Sequence, residues 1–338
     1  MRRPRVLFKL PLLAAVALAA AGLAACSSGS SAAPGSSTSS VGAPELPTVT
    51  VDLRETVDSA PVWIAEQDGF FKQQGLTING QYAPGTAAEY TGLAAHTVDF
   101  ALVDYISLLH EQAENPQLGL RVIADDEQGA PDTTAIMLPS GSHITSAAQL
   151  KGKTIAFSSP GVAFGELALD EQLKGYGIAP GSYTVEAMGF PDMIEPLARG
   201  EIAAAFSLQP YMTEMESQIG AHPLIDLMTG PMTDFPVLGW ATTSYFANKY
   251  PKTVAAFQRA VEKGQQLAAS DTALDRQMLV KNVKTVSAKI ASVIALNTYD
   301  TGVSLTRLQR VATTMEQFGD LPKNFNVARL IIPIPSGA

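Results

Sequence analysis

Cysteine occurs once in the 338 residues, at position 26. A lone thiol cannot close an internal disulfide, and it leaves no Cys pair for a zinc or dithiol redox centre. Histidine is almost as scarce: His96, His110, His143 and His222 are scattered, with no spacing that would set two imidazoles side by side on one helix face. The chain has no G-x-S-x-G elbow, no Gly-rich phosphate fingerprint and no H-E-x-x-H, so the usual marks of a serine hydrolase, a nucleotide site or a zinc protease are missing. Basic residues are few, 23 against 32 acidic ones, and four of the 23 fall within the first nine positions. Phosphate backbones demand clustered Lys and Arg, so a nucleic-acid partner is excluded. No apolar run reaches the roughly 20 residues that a permanent membrane-spanning helix needs. No metal site and no cofactor are expected.

What is present begins with Arg2, Arg3, Arg5 and Lys9, followed by an Ala-rich apolar run over 10–24 that ends in small residues. This pattern predicts a secretory signal peptide over 1–25, which takes no part in the fold. Leu23-Ala24-Ala25-Cys26 resembles a bacterial lipobox, in which the cysteine receives a diacylglyceryl group and becomes the mature N-terminus. Cys26 is therefore the expected lipidation site, anchoring the protein to the outer face of the cell membrane. Residues 26–47 are mostly Ser, Gly, Ala, Pro and Thr, with Glu45 their only charge. Such a segment buries too little to offset the entropy of ordering, so it is expected to be a flexible linker.

The remaining 291 or so residues exceed what one core usually holds and fit two lobes. Short apolar runs alternate with helical patterns, which argues for an α/β protein with mainly parallel sheets. Residues 48–53, 76–78, 100–103, 122–124 and 135–138 read as strands, with helices over 60–71, 86–95 and 105–113. The same strand, loop and helix order starts again at Leu150: strands over 154–157, 183–188 and 203–208 enclose helices over 164–176 and 192–199. From Pro251 the chain turns helical, and Leu305, Leu308, Val311, Ala312 and Met315 fall on one stripe of a helix over 305–318.

The segment PVWIAEQDGFFKQQGL at 61–76 resembles the P-x-x-x-A-x-x-x-G-[FY]-F-x-x-x-G-L stretch of periplasmic proteins that bind nitrate, aliphatic sulfonates, taurine or thiamine-pyrimidine precursors. Further matches are Ala101-Leu102-Val103, AQLKGKTIA at 148–156, GEIAAAF at 200–206 and Gln209-Pro210-Tyr211. The resemblance runs from about Thr48 to Leu330. It implies a two-lobed periplasmic-binding-protein fold of type II with the ligand in an interlobe cleft. Lobe one is expected over 48–138 and 240–338, and lobe two over 139–239. The implied function is extracytoplasmic capture of a small organic molecule, by a monomer, for the permease of an ABC importer. Two departures stand out: Ala203 replaces an Asp of the family pattern, and Gln209 replaces a Glu before Pro-[FY]. The expected solute is a sulfonate, a thiamine-pyrimidine precursor or a similar molecule; the second departure lies at the expected cleft and bears on whether a relative's ligand carries over.

Ligands of open α/β sheets bind beyond the carboxyl ends of strands, where helix N-termini offer free N–H groups. The candidate ligand residues at these places are Asp58, Ser59, Trp63, Thr86, Asp104, Tyr105, Ser158, Ser159, Gly161, Gln209 and Tyr211. Ser59 and Asp104 read equally as helix caps, and Trp63 and Tyr211 equally as packed aromatics. Arg54 is the nearest basic group. Asp58, Glu89, Asp104 and Glu166 oppose a bare anion and suit a neutral, zwitterionic or amine-bearing molecule, with Trp63, Tyr90 and Tyr105 as stacking faces. Two other readings remain. One is an enzyme related to the pyrimidine-forming group, which depends on histidine and cysteine chemistry; the other is a lipoprotein that senses solute for a membrane signalling partner.

Overall fold

A computed structural model describes residues 42–83 and 86–334. The expected signal peptide, Cys26 and the linker as far as residue 41 lie outside the described residues. The strands are β1 (Thr48–Leu53), β2 (Thr77–Tyr82), β3 (Phe100–Asp104), β4 (Leu120–Asp125), β5 (Glu127–Gln128) and β6 (Thr134–Leu138). They continue with β7 (Thr154–Phe157), β8 (Thr184–Ala187), β9 (Ala204–Leu208), β10 (His222–Asp226), β11 (Leu238–Thr243) and β12 (Thr298–Tyr299).

Ten of these strands make two five-stranded sheets, ordered β2-β1-β3-β11-β4 and β10-β6-β9-β7-β8. Counted from β2 and from β8, the orders coincide: second, first, third, a reversed strand, fourth. The reversed strands are β11, antiparallel to β3 and β4, and β6, antiparallel to β9 and β10. The pairs of β1 with β2 and β3, and of β7 with β8 and β9, are parallel as expected. A parallel neighbour requires a helical crossover returning to the same edge. β6 and β11 instead arrive from the other sheet through residues 129–133 and 227–237, and are free to run the other way. The sequence places β6 at the end of lobe one; in the structure it hydrogen-bonds to β9 and β10, in the second sheet.

Burial explains which strands were legible. β3 is buried at all five residues and β11 at all six. A strand covered on both faces shows no alternation, and the sequence LGWATT reads as a mere crossing. The helix expected over 60–71 stops at Gln67, and Gly69, at φ 72°, starts a separate short helix, Phe70–Gln73. A left-handed residue cannot continue the helix, and glycine adopts that conformation without steric cost. Six of the eight residues of Ala60–Gln67 are buried, and the 20-residue helix Pro251–Ser270 packs on them. Contact is close at Gly264, where an added Cβ would lie 2.1 Å from the Pro61 carbonyl oxygen.

Part of the segment expected to be a flexible linker, residues 42–47, is described, and its Glu45 is fixed in place. Glu45 accepts hydrogen bonds from the backbone N–H groups of Lys252 (3.1 Å) and Thr253 (2.8 Å), at the start of Pro251–Ser270. First-turn N–H groups have no partner inside the helix, and a carboxylate satisfies them and their dipole. The helix Leu305–Phe318 buries Leu308, Val311, Ala312 and Met315, but Leu305, expected on the same stripe, is 49% exposed. Its Arg310 donates to the carbonyls of Pro231 (3.1 Å), Thr233 (2.8 Å) and Asp234 (2.7 Å), tying this helix to the chain that returns to the first sheet. Among the described residues no helix is long and apolar enough to cross a membrane.

Candidate functional site

The carboxyl ends of β1, β3, β7 and β9 converge on one cavity with about 630 Å³ of atom-free space, its mouth included. An outer compartment shares Arg54, Asp58, Ser158, Ser159, Phe190 and Leu208 with it and adds Glu55, Tyr82 and Tyr211 toward solvent. The strands of the first sheet deliver charge, and those of the second deliver rings.

On the first side stand Arg54, Asp58, Asp104, Glu127 and Asn297. Arg54 donates through Nη2 to Glu89 (3.2 Å) and through Nε to the Leu102 carbonyl (3.1 Å). Burial works against its charge, yet the carboxylates of Glu89, Asp104 and Asp58 hold its pKa above the usual value. Burial lifts Glu89 to about 7 in spite of Arg54. Asp58 accepts from the Thr56 hydroxyl (2.6 Å) and the Asn297 amide (2.8 Å). Burial, and then the charge of Asp58, push Glu127 well above the carboxylate range, which makes Glu127 the donor in its hydrogen bond to Asp58. Behind it, Asp126 is raised by burial and accepts from Trp240 Nε1 (3.0 Å) and Gln265 Nε2 (3.2 Å).

On the second side Phe157, Phe164, Phe190 and Phe206 form a wall. Phe157 and Phe206 stack at 5.6 Å, and Phe190 stacks on Tyr211 at 5.1 Å. The wall is tight at Gly165, where a Cβ would stand 3.0 Å from Phe157 and 3.1 Å from Phe206. Ser158, Ser159, Thr133, Thr134 and Gln209 add polar groups.

Of the residues singled out by the sequence, Asp58, Asp104, Ser158, Ser159 and Gln209 line the cavity and Tyr211 lines its outer compartment. The side chain of Thr86, at the start of the helix Thr86–Ala94, lies outside what the structure describes. Ser59, Trp63, Tyr105 and Gly161 do not line the cavity. Ser59 is fully buried and accepts the Arg54 N–H (2.8 Å), holding the turn after β1. Trp63 lies in the core with its indole bonded to Tyr82. Tyr105 is buried with its hydroxyl donating to Asp125, which also pairs with Arg307. Tyr90, the third expected stacking face, is buried too. Gly161 gives its N–H to Glu166 (2.6 Å), and the Asp104 carboxylate caps its own helix at Ser107 N–H (2.8 Å). Sequence reasoning missed Glu127, Asn297, Thr134 and the four phenylalanines. Phe157 and Phe206 carried a signal, since both sit in strands whose carboxyl ends were taken as the cleft.

Two lobes of identical strand order, meeting at a cavity lined by strand ends, define a periplasmic-binding-protein fold of the second type. Residues 56–273 match the family described as NMT1/THI5 like, and the chain belongs to it. A 4-amino-5-hydroxymethyl-2-methylpyrimidine phosphate synthase of Saccharomyces cerevisiae is 27% identical over 225 residues, which are 62% of this chain and 63% of the yeast protein. The match therefore spans less than two thirds of that relative's length. The taurine-binding periplasmic protein of Escherichia coli is 24% identical over 220 residues, 64% of this chain and 66% of its own. The solved alkanesulfonate-binding protein SsuA from Xanthomonas axonopodis pv. citri, bound to MOPS, superposes with a TM-score of 0.71 at 17% identity, covering 85% of this chain and 99% of that one.

Proposed function

We propose that this protein is the extracytoplasmic solute-binding component of an ABC importer, a monomeric lipoprotein held at the membrane through Cys26. It captures one small organic molecule between its lobes and hands it to a permease. The observation that carries the reading is the cavity: about 630 Å³ where the strand ends of both sheets meet, built from both lobes. The lobes exchange chain at 129–133 and 227–237, short connections suited to hinge closure. The Ser107 hydroxyl, 3.4 Å from the Val162 carbonyl, supports a contact made on closure. Ligand residues on this reading are Asp58, Asp104, Ser158, Ser159 and Gln209, with Tyr211 nearer the mouth; Thr86 stays a candidate from the sequence.

The yeast relative named as a synthase supports a second reading, an enzyme of pyrimidine formation. Against it, His96, His110, His143 and His222 are all absent from the cavity lining, as is any cysteine, among the described residues. The deciding experiment exposes the purified protein to a broad panel of bacterial metabolites. Thermal stabilisation and compaction in small-angle scattering, with the ligand recovered unchanged, are expected. Recovery of a chemically altered compound establishes the enzyme instead.

A further inference from the structure

The cavity is chemically lopsided, and the lopsidedness bears on what it can hold. We infer that this site, taken as the solute site proposed above, accepts an organic cation: a protonated amine carried on a flat, apolar body. Three features lead there.

The first is the state of its only basic group. Arg54 is the one Lys, Arg or His lining the cavity among the described residues. Its guanidinium is already committed to Glu89 and to the Leu102 carbonyl. An anion would have to compete with Glu89 for it and then sit beside Asp58 and Asp104. A cation meets two carboxylates that are already hydrogen-bonded within the protein but keep lone pairs for a further donor.

The second is that two of the backbone N–H groups near the cavity are already taken, although the helix Phe164–Lys174 itself starts without a side-chain cap. Helix N-termini are where a fold of this kind would hold an anion through backbone N–H groups. Here the helix after β3 is capped by Asp104, and the loop after β7 gives its Gly161 N–H to Glu166. The chain supplies its own anions at both places.

The third is the opposite wall. Phe157, Phe164, Phe190 and Phe206 present rings to the cavity, and the faces of such rings attract cations as well as flat apolar groups. A ligand lying between this wall and the Asp58–Asp104 side is held by its body on one face and its charge on the other.

The test uses two probes with the same body and opposite heads, 2-phenylethylamine and 2-phenylethanesulfonate, with taurine and a short alkanesulfonate as further anions. Affinities are measured by calorimetry on the purified protein. The amine is expected to bind at least about tenfold more tightly than the matched sulfonate, and Asp58→Asn to weaken the amine by about the same factor. Because Asp58 also holds Thr56 and Asn297, Phe190→Ala serves as a second variant: it is expected to weaken the amine while the melting temperature of the free protein stays close to the parent. Preference for the sulfonate, or binding of neither probe while some neutral or anionic solute stabilises the protein, overturns the cation assignment and leaves the solute-binding role standing. Failure of every solute to bind removes both.

Discussion

Asp275 gives the sharpest test of how the buried acids are held. It lies in the helix Thr272–Asn282 and is 1% exposed. The Tyr299 hydroxyl stands 3.3 Å from its Oδ2 and 3.1 Å from the Val57 carbonyl, while Oδ1 has no partner. Burial lifts the carboxyl from 3.8 to about 7, against the opposing pull of the Tyr299 hydrogen bond and Arg276. When protonated, Asp275 donates to Tyr299 and frees the tyrosine proton for Val57. The folded state therefore binds this proton more tightly than the unfolded chain does, so stability is greatest at low pH and falls as pH rises from 3.8 toward about 7. At 1.36 kcal/mol per pH unit, the whole gap amounts to roughly 4 kcal/mol, of which roughly 2.5 kcal/mol falls between pH 5 and pH 8. Asp275→Asn keeps the shape and a donor for Tyr299 but cannot ionise. Guanidinium unfolding of parent and variant at both pH values isolates this group, because the slopes of the other acids cancel in the difference. The variant should gain roughly 2–3 kcal/mol on the parent between pH 5 and pH 8. An unchanged difference between the two proteins at the two pH values would refute the reasoning.

Three further perturbations have defined outcomes. Gly264→Ala sets a Cβ against the Pro61 carbonyl and should cost about 1–3 kcal/mol, seen as a lower calorimetric melting temperature. Gly165→Leu pushes a side chain into the Phe157–Phe206 wall, so solute binding should be lost while circular dichroism keeps its helical signal, leucine being the better helix former. Arg307→Ala strips the cation from buried Asp125 and should destabilise by about 3 kcal/mol, with Asp125→Asn in the same chain restoring part of the loss.

The parts of the fold and site that the sequence discloses are those set by local pattern. β1, β3, β7 and β9 are short apolar runs ending at polar turns, and their carboxyl ends do frame the cavity. The family stretch at 61–76 marks the fold without marking a ligand for a physical reason: Pro61, Val62, Trp63, Ile64 and Ala65 are buried beneath the helix Pro251–Ser270 and never reach the cleft. Trp63 and Tyr105 looked available because helical spacing does not reveal whether a ring faces a cleft or a second layer. The consecutive acids Asp125, Asp126 and Glu127 carry no motif that singles them out, yet all three are buried. Their partners Trp240, Gln265, Arg307 and Asp58 come from distant parts of the chain, and no local pattern announces such long-range pairing. The phenylalanine wall is hidden likewise, for it is assembled from two strands, one α-helix and one short 3-10 helix.

The central claim, that the cavity holds one small solute, is tested most directly by native mass spectrometry of the protein purified without denaturation from its own host. The account calls for a population heavier than the bare chain by one small molecule, bound one to one and absent from Gly165→Leu prepared in the same way. A spectrum of bare chain alone, unchanged after incubation with a broad metabolite panel, would contradict it.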